Sequence, residues 1–165
     1  MIIDEGLDTG KIITQKNLPV SPNATTDSLT SKLINLSNGL LKDTLPKYLA
    51  GKIRPRSQPH PDRATYSRKL AKHDGIIDWA KPAKQIEREI RAYQPWPKSR
   101  TTLAKKDVII ASAKVISGDR KPGDVTVVDK DIVVFCGQDA LLIKELKPAG
   151  KKTMSAEAFL AGYKI

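Results

Sequence analysis

The sequence predicts an α+β fold in which a helical stretch precedes a small β-barrel. Leu29, Leu33, Leu36, Leu40 and Leu41 recur at helical spacing in the first third of the chain. Beyond residue 100 the period changes, and four short β-rich runs follow one another between turn residues. The composition allows a core: 39% of the 165 residues are apolar, an ordinary globular share far from disordered composition.

Residues 1–15 predict a turn and a short strand. Asp8-Thr9-Gly10 is turn chemistry, and Ile12-Ile13-Thr14 is β-prone. Residues 27–50 predict helix, with Asp27 placed to cap the first turn. Gly39 and Pro46 predict a bend in it, or two helices. Its leucine stripe must bury against something. Residues 51–62 hold three prolines and no periodicity, so they read as an extended linker. Residues 64–72 predict one or two helical turns. Pro82 suits the first turn of a helix whose Ala83, Ile86, Ile90 and Tyr93 share a face, and Pro95-Trp96-Pro97 stops it.

The strand runs are Val108-Ile109-Ile110, Val125-Thr126-Val127-Val128, Ile132-Val133-Val134-Phe135 and Leu141-Leu142-Ile143. Pro122-Gly123, Asp129-Lys130-Asp131 and Gly137-Gln138-Asp139 separate them. Ser155 is placed to cap a last short helix ending near Gly162. Short strands at this spacing suggest a small barrel of the oligonucleotide-binding type. No internal repeat is present.

The net charge is +11, and the excess is concentrated. Residues 42–72 carry nine basic side chains (Lys42, Lys47, Lys52, Arg54, Arg56, Arg63, Arg68, Lys69 and Lys72) against Asp43 and Asp62. A basic stretch beside a moderately basic unit attracts a polyanion such as nucleic acid. The plainer reading is a solvated linker that aids solubility. No apolar run approaches the roughly 18 residues of a membrane span. Residues 1–10 are acidic and lack the basic and apolar regions of a signal peptide. The lone Cys136 closes no intrachain disulfide, and with two histidines a zinc site is not expected. These features predict a soluble protein from a reducing compartment, with no metal and no membrane partner.

Several motifs carry two readings each. Asp8-Thr9-Gly10 has the letters of half an aspartic-protease site, whose two carboxylates share a proton, so a single copy must dimerise. Lys11 follows where those proteases place Ala or Ser, and the seven residues before Asp8 are too few for the supporting strands. An ordinary turn is the better reading. His60 and His73 have no metal-like spacing to each other or to Cys136 and read as surface histidines. Trp79 and Trp96 fit either stacking platforms or core anchors, of which anchors are commoner. Arg88 and Arg91 are spaced to hold phosphates, but Glu87-Arg91 is equally an i,i+4 ion pair. Lys151-Lys152, after Pro148-Ala149-Gly150, forms a basic loop open to phosphate or to solvent.

Four segments, taken in order, resemble the C-terminal part of the methionyl-tRNA formyltransferase family. Glu5-Gly6-Leu7-Asp8-Thr9-Gly10 resembles the end of that family's catalytic domain. Asp74-Gly75-Ile76-Ile77-Asp78-Trp79 resembles the entry into its second domain. Ile90-Arg91-Ala92-Tyr93-Gln94-Pro95-Trp96-Pro97 resembles a helix-ending signature. Leu146-Lys147-Pro148-Ala149-Gly150-Lys151-Lys152-Thr153-Met154-Ser155, followed by Phe159-Leu160-Ala161-Gly162, resembles the C-terminal signature. Each is weak alone; their order and spacing across the whole chain make the resemblance specific. The last segment favours the tRNA enzymes over related enzymes of sugar nucleotides and folate.

The resemblance implies three parts. Residues 1–50 would be the C-terminal remnant of a Rossmann-like formyltransferase domain, residues 51–75 a basic linker, and residues 76–165 the tRNA-binding barrel. It implies transfer of formyl from 10-formyltetrahydrofolate to the α-amine of initiator methionyl-tRNA, in the cytoplasm, by an enzyme that is a monomer at full length. Such an acyl transfer needs donors for the oxyanion and a base for the amine proton. In the family an Asn-x-His pair upstream supplies the donors, and the loop Asp, here Asp8, orients and charges the histidine. No Asn-x-His precedes Asp8, so the chain is expected to be a fragment or truncated reading frame, inactive alone, with the leucine stripe left without its sheet. Lys42, Lys52, Arg54, Arg56, Arg63, Arg68, Lys69, Arg88, Arg91, Lys151 and Lys152 are the expected phosphate contacts. The alternatives are a stand-alone RNA-binding module and a related formyltransferase acting on another amine.

Overall fold

The computed structural model describes residues 1–59 and 64–165. Two units emerge, one of residues 1–24 and 28–69, the other of residues 25–27 and 70–165.

The second unit is built on one antiparallel sheet. Its strands are β1 (Arg100–Leu103), β2 (Lys106–Ile116), β3 (Val125–Val128), β4 (Asp131–Phe135), β5 (Ala140–Pro148) and β6 (Met154–Ser155). They lie in the order β1-β2-β5-β4-β3, with β6 also on β5. The mixed α and β class is as predicted, with two strands more than the sequence suggests. The β1–β2 hairpin escapes a sequence reading because its turn residues, Ala104 and Lys105, are poor turn formers. Both nevertheless take the left-handed backbone (φ 49° and 59°) that a two-residue hairpin turn demands. Asp129-Lys130 does the same between β3 and β4 (φ 47° and 70°), and there the aspartate announces it.

Strands β2 and β5 run past the β-rich triplets that mark them. Between Ile110↔Leu146 and Ala113↔Ile143 the register shifts twice. On β5 two exposed residues, Lys144 and Glu145, separate buried Leu141 and Ile143 from buried Leu146 and Pro148. The bulge moves the inward phase by one residue, so Leu146 faces the core with Leu141 and Ile143.

Two helices close the core. α2 (Ala83–Ala92) buries Ala83, Ile86 and Ile90, as its spacing predicts. α3 (Ala156–Gly162) buries Ala156 and Phe159. These pack with Ile110, Ile132, Leu141, Ile143 and Leu146. Each such large side chain contributes about 1.5–3 kcal/mol by leaving water. Ser155 caps α3 as expected, its Oγ accepting from the Ala158 N–H at 3.2 Å. Pro82 is the residue before α2, not its first helical residue, and offers no capping side chain. The Ala83 N–H instead donates to the Gln138 carbonyl (2.9 Å) in the β4–β5 turn. That turn comes very close: the Gly137 N–H donates to the carbonyls of Trp79 (2.9 Å) and Lys81 (3.0 Å). A Cβ on Gly137 would sit 1.9 Å from the Ala80 carbonyl oxygen.

α1 (Thr26–Leu49), which belongs to the first unit from Ser28 onward, is one helix rather than two. Pro46 lies in its last turn, where a missing N–H costs a single hydrogen bond. The helix starts one residue before Asp27, which therefore sits in the first turn and complements the positive N-terminal dipole. Residues 12–14 form no strand; Ile12 makes one isolated bridge, to Arg56. No helical turn forms over residues 64–71, and a short 3-10 turn, Lys72–Gly75, follows. None of the side chains of α1 is buried, and Leu33, Leu41 and Leu49 are 46, 61 and 75% exposed.

Amide hydrogen exchange of the 165-residue chain should therefore be slowest in β2 and β5 and fast across residues 29–49. Protection of that helix equal to β5, in a chain that sediments as a monomer, would refute this.

Candidate functional site

The acidic loop of the first unit is made where three short segments lie side by side. The Ile2 N–H donates to the Lys11 carbonyl (2.8 Å). Ile12 and Arg56 exchange backbone hydrogen bonds of 2.8 and 3.0 Å. Asp4 Oδ1 accepts from Thr9 Oγ1 (2.6 Å) and from the Gly6 N–H (3.2 Å). Gly10 is buried, and a Cβ there would lie 1.7 Å from the Ile2 carbonyl oxygen, so only glycine fits. Asp8 takes φ 57°, a left-handed conformation that aspartate adopts more readily than most residues. It is exposed and, with Thr9, Lys11, Gln58 and Tyr66, lines a cavity of about 790 Å³. Gln58 Nε2 donates to the carbonyls of Asp8 (2.6 Å) and Gly10 (2.9 Å). Nothing in the residues flanking Gln58 marks it in the sequence.

The expected phosphate contacts fall in both units. Lys42, Lys52, Arg54, Arg56, Arg68 and Lys69 belong to the first, and all are exposed. Arg56 uses its backbone to pair with Ile12, leaving its side chain outward. Arg68 Nη1 donates to the Lys69 carbonyl (3.1 Å). Arg63 and His60 lie outside the described residues. In the second unit Arg88 is exposed on α2, while Arg91 is forked onto Glu87 (Nε–Oε1 2.6 Å, Nη2–Oε2 3.1 Å). The ion-pair reading of Arg91 thus holds in this state. Lys151 and Lys152 are exposed after a turn in which Gly150 has φ 73°.

Several plainer readings resolve here as well. Trp79 is half-buried against the core, its Nε1 donating to Thr101 Oγ1 (3.0 Å). Trp96 is 53% exposed, so the anchor reading fails for it; the turn after α2 leaves its ring outside. His73 is a surface residue, with Nε2 3.7 Å from Asp74 Oδ1. A second cavity, of about 590 Å³, lies beside it, lined by Lys72, His73, Ile76, Arg100 and Asp107. Among the described residues no group of three or more His, Cys, Asp or Glu is arranged to hold a metal ion. Nor is any helix there long and apolar enough to cross a membrane.

The curled sheet with its two covering helices defines a class. Residues 69–164 match the family described as formyl transferase, C-terminal domain, and the chain belongs to that family. Curated relatives extend the likeness to the remaining residues. A methionyl-tRNA formyltransferase of Myxococcus xanthus is 38% identical over 166 residues, covering 100% of this chain and 53% of its own length. One of Pseudoalteromonas translucida is 41% identical over 167 residues, covering 98% and 52%. The chain thus spans about half the length of the curated relatives it matches. Among solved structures, HypX from Aquifex aeolicus in complex with tetrahydrofolic acid superposes with a TM-score of 0.65 at 18% identity, covering 96% of this chain and 28% of that one. An N-formyltransferase from Helicobacter canadensis, in complex with folinic acid and dTDP-3-aminofucose, gives 0.63 at 18%, covering 86% and 52%. At that identity the likeness concerns the fold.

Cys136 is the one thiol of the chain and is 3% exposed. Burial pushes its pKa up to about 11. At neutral pH it is therefore overwhelmingly the unreactive thiol. At pH 8 a water-soluble disulfide reagent should modify it on the order of 100-fold more slowly in the folded chain than in denaturant. Equal rates in the two states would show that the strand pairing around it opens freely.

Proposed function

We propose that this chain is the C-terminal half of a methionyl-tRNA formyltransferase. The enzyme transfers formyl from 10-formyltetrahydrofolate to the α-amine of initiator methionyl-tRNA in the cytoplasm, as a monomer at full length. The observation that carries this reading is the reach of the likeness: it covers the Asp8 loop as well as the C-terminal unit. In this reading residues 1–50 end a Rossmann-like catalytic domain, residues 51–75 link it, and residues 76–165 form an oligonucleotide-binding-type barrel. The tetrahydrofolic acid and folinic acid bound to the two structural neighbours support a folate donor.

Asp8 is the residue of this chain assigned to the chemistry. The attacking amine must lose a proton as the carbon–nitrogen bond forms, and the formyl oxygen becomes an oxyanion in the tetrahedral intermediate. An exposed carboxylate on a tightly turned loop suits orienting and charging a neighbouring imidazole from the upstream half. A carboxylate near a histidine raises the imidazole pKa, which keeps it a proton donor to the oxyanion. The folate would be held by the upstream half. Exposed Lys42 on α1, and Lys52, Arg54, Arg56, Arg68 and Lys69, with Arg63, along the linker would neutralise tRNA phosphates. Arg88, Lys151 and Lys152 would do so on the barrel, and Arg91 joins them only by leaving Glu87.

Two measurements test the reading. Binding of initiator tRNA to the 165-residue chain should weaken with salt by roughly 0.7–0.9 log units per log unit for each phosphate neutralised. Replacing Arg54, Arg56 and Arg63 with Ala should flatten that slope by two to three phosphates' worth, and an unchanged slope would remove the linker from the interface. In a complete polypeptide carrying this segment, Asp8→Asn should lower kcat by about 10²–10⁴-fold. Full activity in that variant would remove Asp8 from the chemistry.

A further inference from the structure

Gln58 stands 50 residues from Asp8, yet its side chain is spent on the Asp8 loop. A primary amide has two N–H donors. Those of Gln58 reach the carbonyls of Asp8 (2.6 Å) and Gly10 (2.9 Å), on either side of Thr9. The other ties to this loop act elsewhere: Asp4 holds Thr9 Oγ1, and Ile2 holds the Lys11 carbonyl. Asp8 sits at φ 57°, a left-handed backbone that costs a residue with a Cβ some energy, less for aspartate than for most, and that fixed hydrogen-bond donors on its carbonyl help to hold.

The position of Gln58 is itself fixed. Two residues earlier, Arg56 is paired with Ile12 through both backbone bonds. Pro59 follows, which restricts Gln58 to an extended backbone. The amide therefore approaches the loop from an anchored strand, is half-buried, and lines the same cavity as Asp8.

We infer that Gln58 is a positioning residue: its amide clamps the left-handed Asp8 turn and so sets the direction of the Asp8 carboxylate for formyl transfer. The inference rests on the role proposed above for Asp8. A neutral donor suits the task. Glutamate would turn two acceptor oxygens toward two carbonyls, and lysine would place a cation beside the carboxylate.

The test has two arms. In the 165-residue chain, NMR should find the Gln58 side-chain amide protons slow to exchange and coupled across hydrogen bonds to the carbonyl carbons of Asp8 and Gly10. A freely rotating amide would overturn the clamp. In a complete formyltransferase polypeptide carrying this segment, Gln58→Leu and Gln58→Glu should lower kcat by about 10- to 100-fold, with KM for the folate donor changed less than about twofold. Counting active sites separates this from a merely structural role, which would lower the active fraction and leave kcat per site intact. Unchanged kcat per site in both variants, with Asp8→Asn inactive, overturns the inference alone. Activity in Asp8→Asn overturns the reading beneath it.

Discussion

Strand β5 meets β2 along its whole length, so its other edge must serve both β4 and β6, end to end. With both edges paired its backbone can lie in the middle of the core, where unpaired amides would be costly. Its bulge then decides which side chains share that interior. Leu141 and Ile143 face inward on one side of the bulge, Leu146 and Pro148 on the other. Both helices pack against β5, and the turn that enters it binds the first free N–H of α2. The fold of the second unit is the consequence of satisfying this one strand.

The first unit is held differently. Its helix buries no side chain, and its acidic loop is ordered by polar ties from Asp4, Ile2 and Gln58. Hydrogen bonds of this kind, partly open to water, each contribute about 0.5–1.5 kcal/mol. Such a loop is shaped by local geometry more than by hydrophobic burial. That leaves the Asp8 carboxylate exposed, as the role proposed for it requires, and it makes each tie matter individually.

Much of the second unit is legible from period alone. Ala83, Ile86 and Ile90 on α2, the β3 and β4 runs, and the Ser155 cap are all local signals that tertiary packing leaves intact. The ends of β2 and β5 are not legible, because a bulge breaks the alternation that a reader follows. The β1–β2 turn is hidden because Ala104 and Lys105 take a backbone their side chains do not advertise. Exposure of Trp96 was equally hidden, since an aromatic ring fits a core and a surface alike. The role proposed for Asp8 comes from resemblance alone, since an Asp-Thr-Gly loop is by itself an ordinary turn. Gln58 is not legible at all, because its partners are some 50 residues away.

Gly137 has an evolutionary corollary. Core positions such as Ile110 and Leu141 accept other apolar side chains of similar volume at modest cost, so they can drift through many intermediates. At Gly137 every alternative side chain begins with the same carbon, placed against the backbone carbonyl of Ala80, whose two chain neighbours, Trp79 and Lys81, are hydrogen-bonded to the turn. No neighbour can shrink to make room. Descendants of this chain can therefore rewrite most of the interior one residue at a time, while this turn must be inherited unchanged or rebuilt together with the entry to α2.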